Sequence, residues 1–367
     1  MKDVASIPKI DCFTHVVPKN YWDLLKETVG EKNLTEIVGG EIRSVESTRS
    51  LLDLGERFRI MDKYEGLMQV ITPSGPPLDL VTSGQAAVDL AKTCNDEMAG
   101  LVAKYPDRFF GAVALLPLDN MDAAIQEAQR TIRDLNFVGI HLTTPRFGGS
   151  HQITKPLDTP DMLPLYEMMA SVDLPIWIHP RREYLTPDYT VEENSKYCLN
   201  QCFGWPYETT LCMARLVYGG ILAKFPDLKF ITHHAGGMVP FMSDRIEGSC
   251  NWYEMSLDVQ FTKRFQRLPI EYFRLFYGDT AIYGNTPGLM CAYSFFGADR
   301  LLFGTDFPYD AEWGDTYTRK TIEAIEGMDI SGNEKEKIFA GNARRILKLG
   351  ASSRLKRLTL GETKGDK

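Results

Sequence analysis

The chain has 367 residues, 49 acidic against 41 basic for a net charge of -8, with 44% hydrophobic and 25% charged side chains. That composition suits a soluble globular protein with a sizeable core and excludes a disordered chain. The acidic balance argues against nucleic acid or an anionic membrane as partner, because both require a broad basic footprint. The basic trio Arg354, Lys356 and Arg357 reads as a solvated helix end. The seven cysteines, at 12, 94, 198, 202, 212, 250 and 291, form no C-x-x-C pair, so neither a disulfide framework nor a zinc knuckle is indicated and a cytoplasmic location fits. The opening MKDVASIPKID lacks an apolar signal core, and no run approaches the roughly 18 apolar residues of a membrane span.

Taken in chain order, eight short β-rich apolar runs fall at 9–15, 67–72, 110–116, 137–143, 175–179, 229–234, 275–280 and 301–306. Helical periodicity marks 85–104, 121–135 and 209–224 between them, and 330–349 at the end. Asp119 or Asn120 is the N-cap of the second helix, and Pro106, Pro226 and Gly219-Gly220 are stop signals. Strands alternating with helices predict a parallel sheet, and eight units predict a (β/α)₈ TIM barrel spanning 1–350 as one domain, with a polar tail at 351–367. Two stretches break the rhythm, 16–60 after the first strand and 181–206 after the fifth. Insertions after barrel strands lie on the functional face, so both are expected to shape the mouth.

His15, His179, His234 and Asp306 each fall at the C-terminal end of one of these strands. In a parallel barrel those ends converge, which makes neighbours of residues far apart in sequence. Imidazoles with a carboxylate suit one divalent cation, Zn²⁺ first and Mn²⁺ as the alternative. No dinucleotide or phosphate-loop motif is present, and no organic cofactor is expected.

The runs IDCFTH (10–15), WIHPR (177–181), WPYETT (205–210), FPDLK (225–229), HAGGMVP (234–240) and FGTDFP (303–308) resemble the amidohydrolase-related decarboxylases, in particular the aminocarboxymuconate semialdehyde type, with resorcylate and hydroxybenzoate decarboxylases as cousins. The resemblance implies that His179 and Asp306 bind the metal and that His234 and Asp306 manage protons. It also implies that substrates are small carboxylic acids and that the protein is a homodimer in which Arg245 reaches into the partner's site. Two departures stand out. The family's first strand offers two ligands two residues apart, whereas here the pair is Phe13 and His15, so the metal is left to His15, His179 and Asp306 unless Asp11 compensates or the metal has been lost. The resorcylate type carries a glutamate three residues after the sixth-strand histidine, whereas this chain has Gly237, which favours the aminocarboxymuconate branch.

Arginine binds a carboxylate bidentately, so Arg245, Arg181 and Arg43, with Arg49 competing for the last position, are substrate candidates. Trp205, Tyr207 and Tyr184 could line an aromatic slot, while Trp177 is assigned to barrel packing. His233, opposite in strand parity to His234, is expected to face the helix layer, and His141 and His151 are read as structural or surface residues. The function expected is non-oxidative decarboxylation of an aromatic or muconate-type acid. A metal-dependent hydrolase or hydratase, and a metal-free binding barrel, are the alternatives.

Overall fold

The computed structural model describes residues 7–150 and 152–348; His151 and the tail at 351–367 lie outside them. The barrel strands are β1 (Lys9–Val16), β2 (Leu67–Pro73), β3 (Phe109–Ala114), β4 (Gly139–Thr144), β5 (Ile176–Pro180), β6 (Phe230–Thr232), β7 (Tyr277–Asp279) and β8 (Leu301–Leu302). They form one eight-stranded sheet in that order, with parallel pairing throughout. The sheet closes where Cys12 N donates to Phe303 O (2.8 Å), His15 N to Phe307 O (2.7 Å) and Asp306 N to Phe13 O (3.0 Å). Asp11 reinforces that seam by accepting from Thr305 Oγ1 (2.6 Å) and Thr305 N (3.1 Å). The expected (β/α)₈ barrel is therefore the observed one.

The helices follow the periodicity closely, at Gly84–Lys104 and Met121–Arg133. Asn120 is the N-cap of the latter, accepting from Ala123 N (3.1 Å), whereas Asp119 instead accepts from Gly84 N (2.6 Å). The third helix begins earlier than expected, at Trp205, and runs to Tyr218. Gly220, at φ 79°, then turns the chain into the short Ile221–Lys224 helix. Among the described residues no helix is long and apolar enough to cross a membrane.

Several strands are shorter than the apolar runs suggest, and at β6 and β8 this bears on the site. β6 ends at Thr232, and His234, Ala235, Gly236 and Gly237 all have positive φ. β8 ends at Leu302, and Asp306 lies beyond it at φ 65°. Below the mouth, Ile10, Cys12, Val70, Val113, Trp177, Ile231 and Leu302 pack together, and each fully buried large apolar side chain contributes roughly 1.5–3 kcal/mol. Trp177 belongs to this layer, its Nε1–H donating to Cys12 O (2.9 Å).

The 16–60 stretch folds as four helices. Arg57, fully buried in the last of them, donates to His15 O (2.6 Å), Gln69 Oε1 (2.7 Å) and Thr14 Oγ1 (3.0 Å). One side chain thus fastens the insertion to the end of β1 that carries His15.

Candidate active site

His15 is 2% exposed, and both of its ring nitrogens have partners. The Thr72 hydroxyl donates to Thr14 O (2.9 Å), so its oxygen accepts from His15 Nδ1–H (3.2 Å). That leaves Nε2 facing Asp306 Oδ1 at 3.2 Å, a pair that needs either a proton or a cation between them. The separation is close to the ~3.0 Å between two donors bound at right angles to one ion at about 2.1 Å.

Asp306 gathers the site. Its Oδ2 accepts from Tyr283 OH (3.2 Å) and lies 3.7 Å from His234 Nε2. Burial opposes its charge, but the bonds and charges of His15 and His234 outweigh burial and hold the carboxyl well below its usual range. Burial likewise opposes charge on His234, and the attraction of Asp306 reverses the balance, leaving its pKa raised. His179, on β5, is pushed well below the imidazole range by burial and by the neighbouring imidazoles. Its ring centroid lies 5.3 Å from His15 and 5.5 Å from Trp205. Trp205 also lies 6.2 Å from His234, so its indole forms a wall beside both histidines.

The structure overturns the orientation expected of His233. Trp177 pairs with Ile231 and Ile178 with Thr232, so the next rung places His179 and His233 side by side, both facing the barrel axis. His233 is wholly buried and stacks on Phe13 at 3.5 Å with 16° between the planes. Strand parity does not reach His234, because the strand ends at Thr232. His234 turns inward through its left-handed backbone instead.

His141 is also no surface residue. It is buried, its ring lies 5.8 Å from His179, and burial, followed by the nearby His233, His15 and Arg181, pushes its pKa well down. Its parity with Thr143, which pairs with His179, is the signal that could have found it. Tyr283 and Tyr309, the latter 5.3 Å from His15, join the site from loops that offer no pattern to read.

Asp11 does not compensate for Phe13, since it is committed to the seam with Thr305. Arg43 and Arg245 are exposed on the helices Glu31–Ser47 and Ser243–Ser256, and Arg49 stacks over Trp313 at 4.6 Å. Arg181 bonds Glu183 (3.0 and 2.9 Å) and lines a cleft of about 800 Å³ with Thr144, Arg182 and Glu208 beside β5. Tyr184 and Tyr207 are about half exposed and line neither the histidines nor this cleft.

The donor chemistry suits a divalent cation: the Thr14–Thr72 relay leaves His15 Nε2 as a lone-pair donor, and Asp306 Oδ1 stands 3.2 Å from it, where an ion would take the place of a shared proton. Among the described residues no three His, Cys, Asp or Glu side chains are yet placed to hold a metal ion together.

The amidohydrolase family model matches residues 10–349. The chain belongs to the amidohydrolase family. A gamma-resorcylate decarboxylase of Rhizobium radiobacter is 30% identical over 306 residues, covering 82% of this chain and 88% of the relative. The 2-amino-3-carboxymuconate-6-semialdehyde decarboxylase of Dictyostelium discoideum is 29% identical over 353 residues, covering 93% and 92%. Identity thus does not separate the two branches that Gly237 was read to divide. Among solved structures, a dihydroxybenzoic acid decarboxylase from Polaromonas sp. JS666, with bound manganese and the inhibitor 2-nitroresorcinol, superposes with a TM-score of 0.75 at 26% identity, covering 94% of this chain and 98% of that one. This amidohydrolase chain is similar to carboxy-lyases over nearly its whole length.

Proposed function

We propose that this amidohydrolase is a metal-dependent, non-oxidative decarboxylase of an aromatic or muconate-type carboxylic acid. The observation that carries the reading is the buried His15–Asp306–His234 network at the barrel mouth, in a chain similar to decarboxylases over most of its length. His15, His179 and Asp306 would hold one divalent cation, with Zn²⁺ the expected occupant and Mn²⁺ the ion of the Polaromonas relative. When bound, the ion supplies Lewis-acid stabilisation of negative charge on the substrate's oxygens.

The protein's own groups account for the rest. The bond from carboxylate carbon to ring or diene carbon breaks, CO₂ leaves, and the electron pair that remains takes a proton from His234. The Asp306 carboxylate raises the His234 pKa and so favours the protonated imidazole that gives up this proton. Trp205 would hold the flat substrate against the two histidines. Arg181 at the mouth, Arg43 and Arg245 are the candidates for the carboxylate.

We place the protein in the cytoplasm as a homodimer. Seven free cysteines suit a reducing compartment. The helix bearing Arg245 and the turn after it expose Trp252, Met255, Leu257 and Val259, an apolar surface that a second copy could cover.

Incubating the metal-loaded protein with dihydroxybenzoates and amino-carboxymuconate semialdehydes should release CO₂ and leave a C–H bond in its place, and His234→Asn should slow release by about 100-fold or more. Lactone opening or alkene hydration without CO₂ from any acid would overturn the reading.

A further inference from the structure

Phe13 stands where the family's first strand offers a metal ligand, and the ring it packs against is an imidazole. His233 Nδ1–H donates to Asp279 Oδ2 (2.8 Å). The other oxygen of Asp279 accepts from Ala235 N (3.1 Å) and Ala281 N (3.0 Å), which holds the carboxylate as an acceptor. His233 Nε2 therefore carries a lone pair. It is fully buried and has no hydrogen-bond partner. A buried acceptor left unmet forfeits its hydration with nothing in return, so it calls for a partner. The stacked phenyl of Phe13 restrains the ring from turning away, and with Nδ1 tied to β7 the opposite edge faces the β5 side, where His179 stands.

Two imidazoles sharing one ion at about 2.1 Å, with 90–120° between the bonds, have ring centroids roughly 4.5–5.6 Å apart. His179 lies 5.3 Å from His15 and 5.6 Å from His233, within that range on both sides, whereas His15 and His233 each contact Phe13 and not one another, so these two rings must draw closer when an ion binds. His141, whose Nε2 is likewise buried and unpartnered, lies just outside it at 5.8 Å and has no orienting carboxylate among the bonds of the described residues.

We propose that His233 is the metal ligand that replaces the one absent at position 13, joining His15, His179 and Asp306 on a single divalent cation. The inference rests on the metal-dependent reading above. Asp279 is then the positioning residue that fixes the His233 tautomer, the arrangement in which a ligating imidazole donates its second N–H to a carboxylate. Phe13 acts as the wedge that keeps the ring in place. Three imidazoles and one carboxylate make a nitrogen-rich site that favours Zn²⁺ more than an oxygen-rich one would.

The test uses the full-length protein, stripped with chelator and reloaded with Mn²⁺. Electron spin-echo modulation of the wild-type complex should count three directly bound imidazoles; a count of two overturns the proposal. In chelator competition, His233→Ala should weaken Mn²⁺ binding by ~100-fold or more and Asp279→Asn by ~10–100-fold, and Phe13→His combined with His233→Ala should recover most of the loss. If His233→Ala binds within about threefold of wild type, His233 is no ligand and the decarboxylase reading stands untouched. Wild-type protein that takes up neither Mn²⁺ nor Zn²⁺ overturns both.

Discussion

Asp11 sits at the seam of the barrel with no exposed surface, bonded to Thr305 and to Phe13 N. Burial pushes its carboxyl up from 3.8 to about 7, although the hydrogen bonds from Thr305 and Phe13 pull the other way. The sign of the linkage follows. Between about pH 4 and 7 the unfolded chain releases this proton while the folded one keeps it, so the Asp11 contribution to stability falls as the pH rises and is lowest above the folded pKa. Asp11→Asn keeps an acceptor for Thr305 N, and the Thr305 hydroxyl can rotate to accept from the new amide. It should flatten this part of the profile, by on the order of a few kcal/mol, in urea unfolding at pH 5 and pH 8. An unchanged difference between the two pH values would show that burial of Asp11 is not what sets the slope.

At the scale of elements, the decisive piece is the turn after β6. The strand brings His233 to face the axis, and the positive-φ stretch His234–Gly237 swings the next imidazole round to meet Asp306. A Cβ at Gly237, which has φ 62°, would lie 2.6 Å from Pro206 O and 2.9 Å from Thr210 Oγ1, and the turn is also tied to that helix by Met238 N donating to Thr210 Oγ1 (2.9 Å). A glutamate here, as in the resorcylate type, would need the Trp205–Tyr218 helix to withdraw, and Trp205 with it. Gly237→Ala should therefore lower stability by roughly 1–3 kcal/mol and slow turnover together, since strain at this turn moves both His234 and the indole wall. Wild-type thermal unfolding and turnover in the variant would show that the turn tolerates a side chain. The same turn explains why parity failed for His233: alternation holds only while the strand lasts, and β6 is three residues long.

At the scale of the whole molecule, the barrel collects its imidazoles and leaves Arg43 and Arg245 on the outside. A carboxylate substrate needs a cation within hydrogen-bonding reach, and for Arg245 that reach would come from a second copy. Arg245→Ala should then raise the Michaelis constant by about tenfold or more while leaving the unfolding temperature nearly unchanged, because an exposed arginine contributes little to the fold of its own chain. Sedimentation should show a dimer at assay concentration; a monomer with full activity would end the shared-site idea.

The architecture could be read from sequence because strand-forming runs and helical periodicity are local, and eight alternating units have few ways to pack. His15, His179 and Asp306 could be placed at one mouth for the same reason: parallel strands bring their C-terminal ends together. Local patterns do not record where a strand stops, how a left-handed turn redirects the next side chain, or which buried groups share a rung. Those are set by pairing between strands and by packing across the axis. The rung beside His179 placed His233 and Phe13 face to face, and only the closed barrel shows that the substitution at 13 has an imidazole stacked against it.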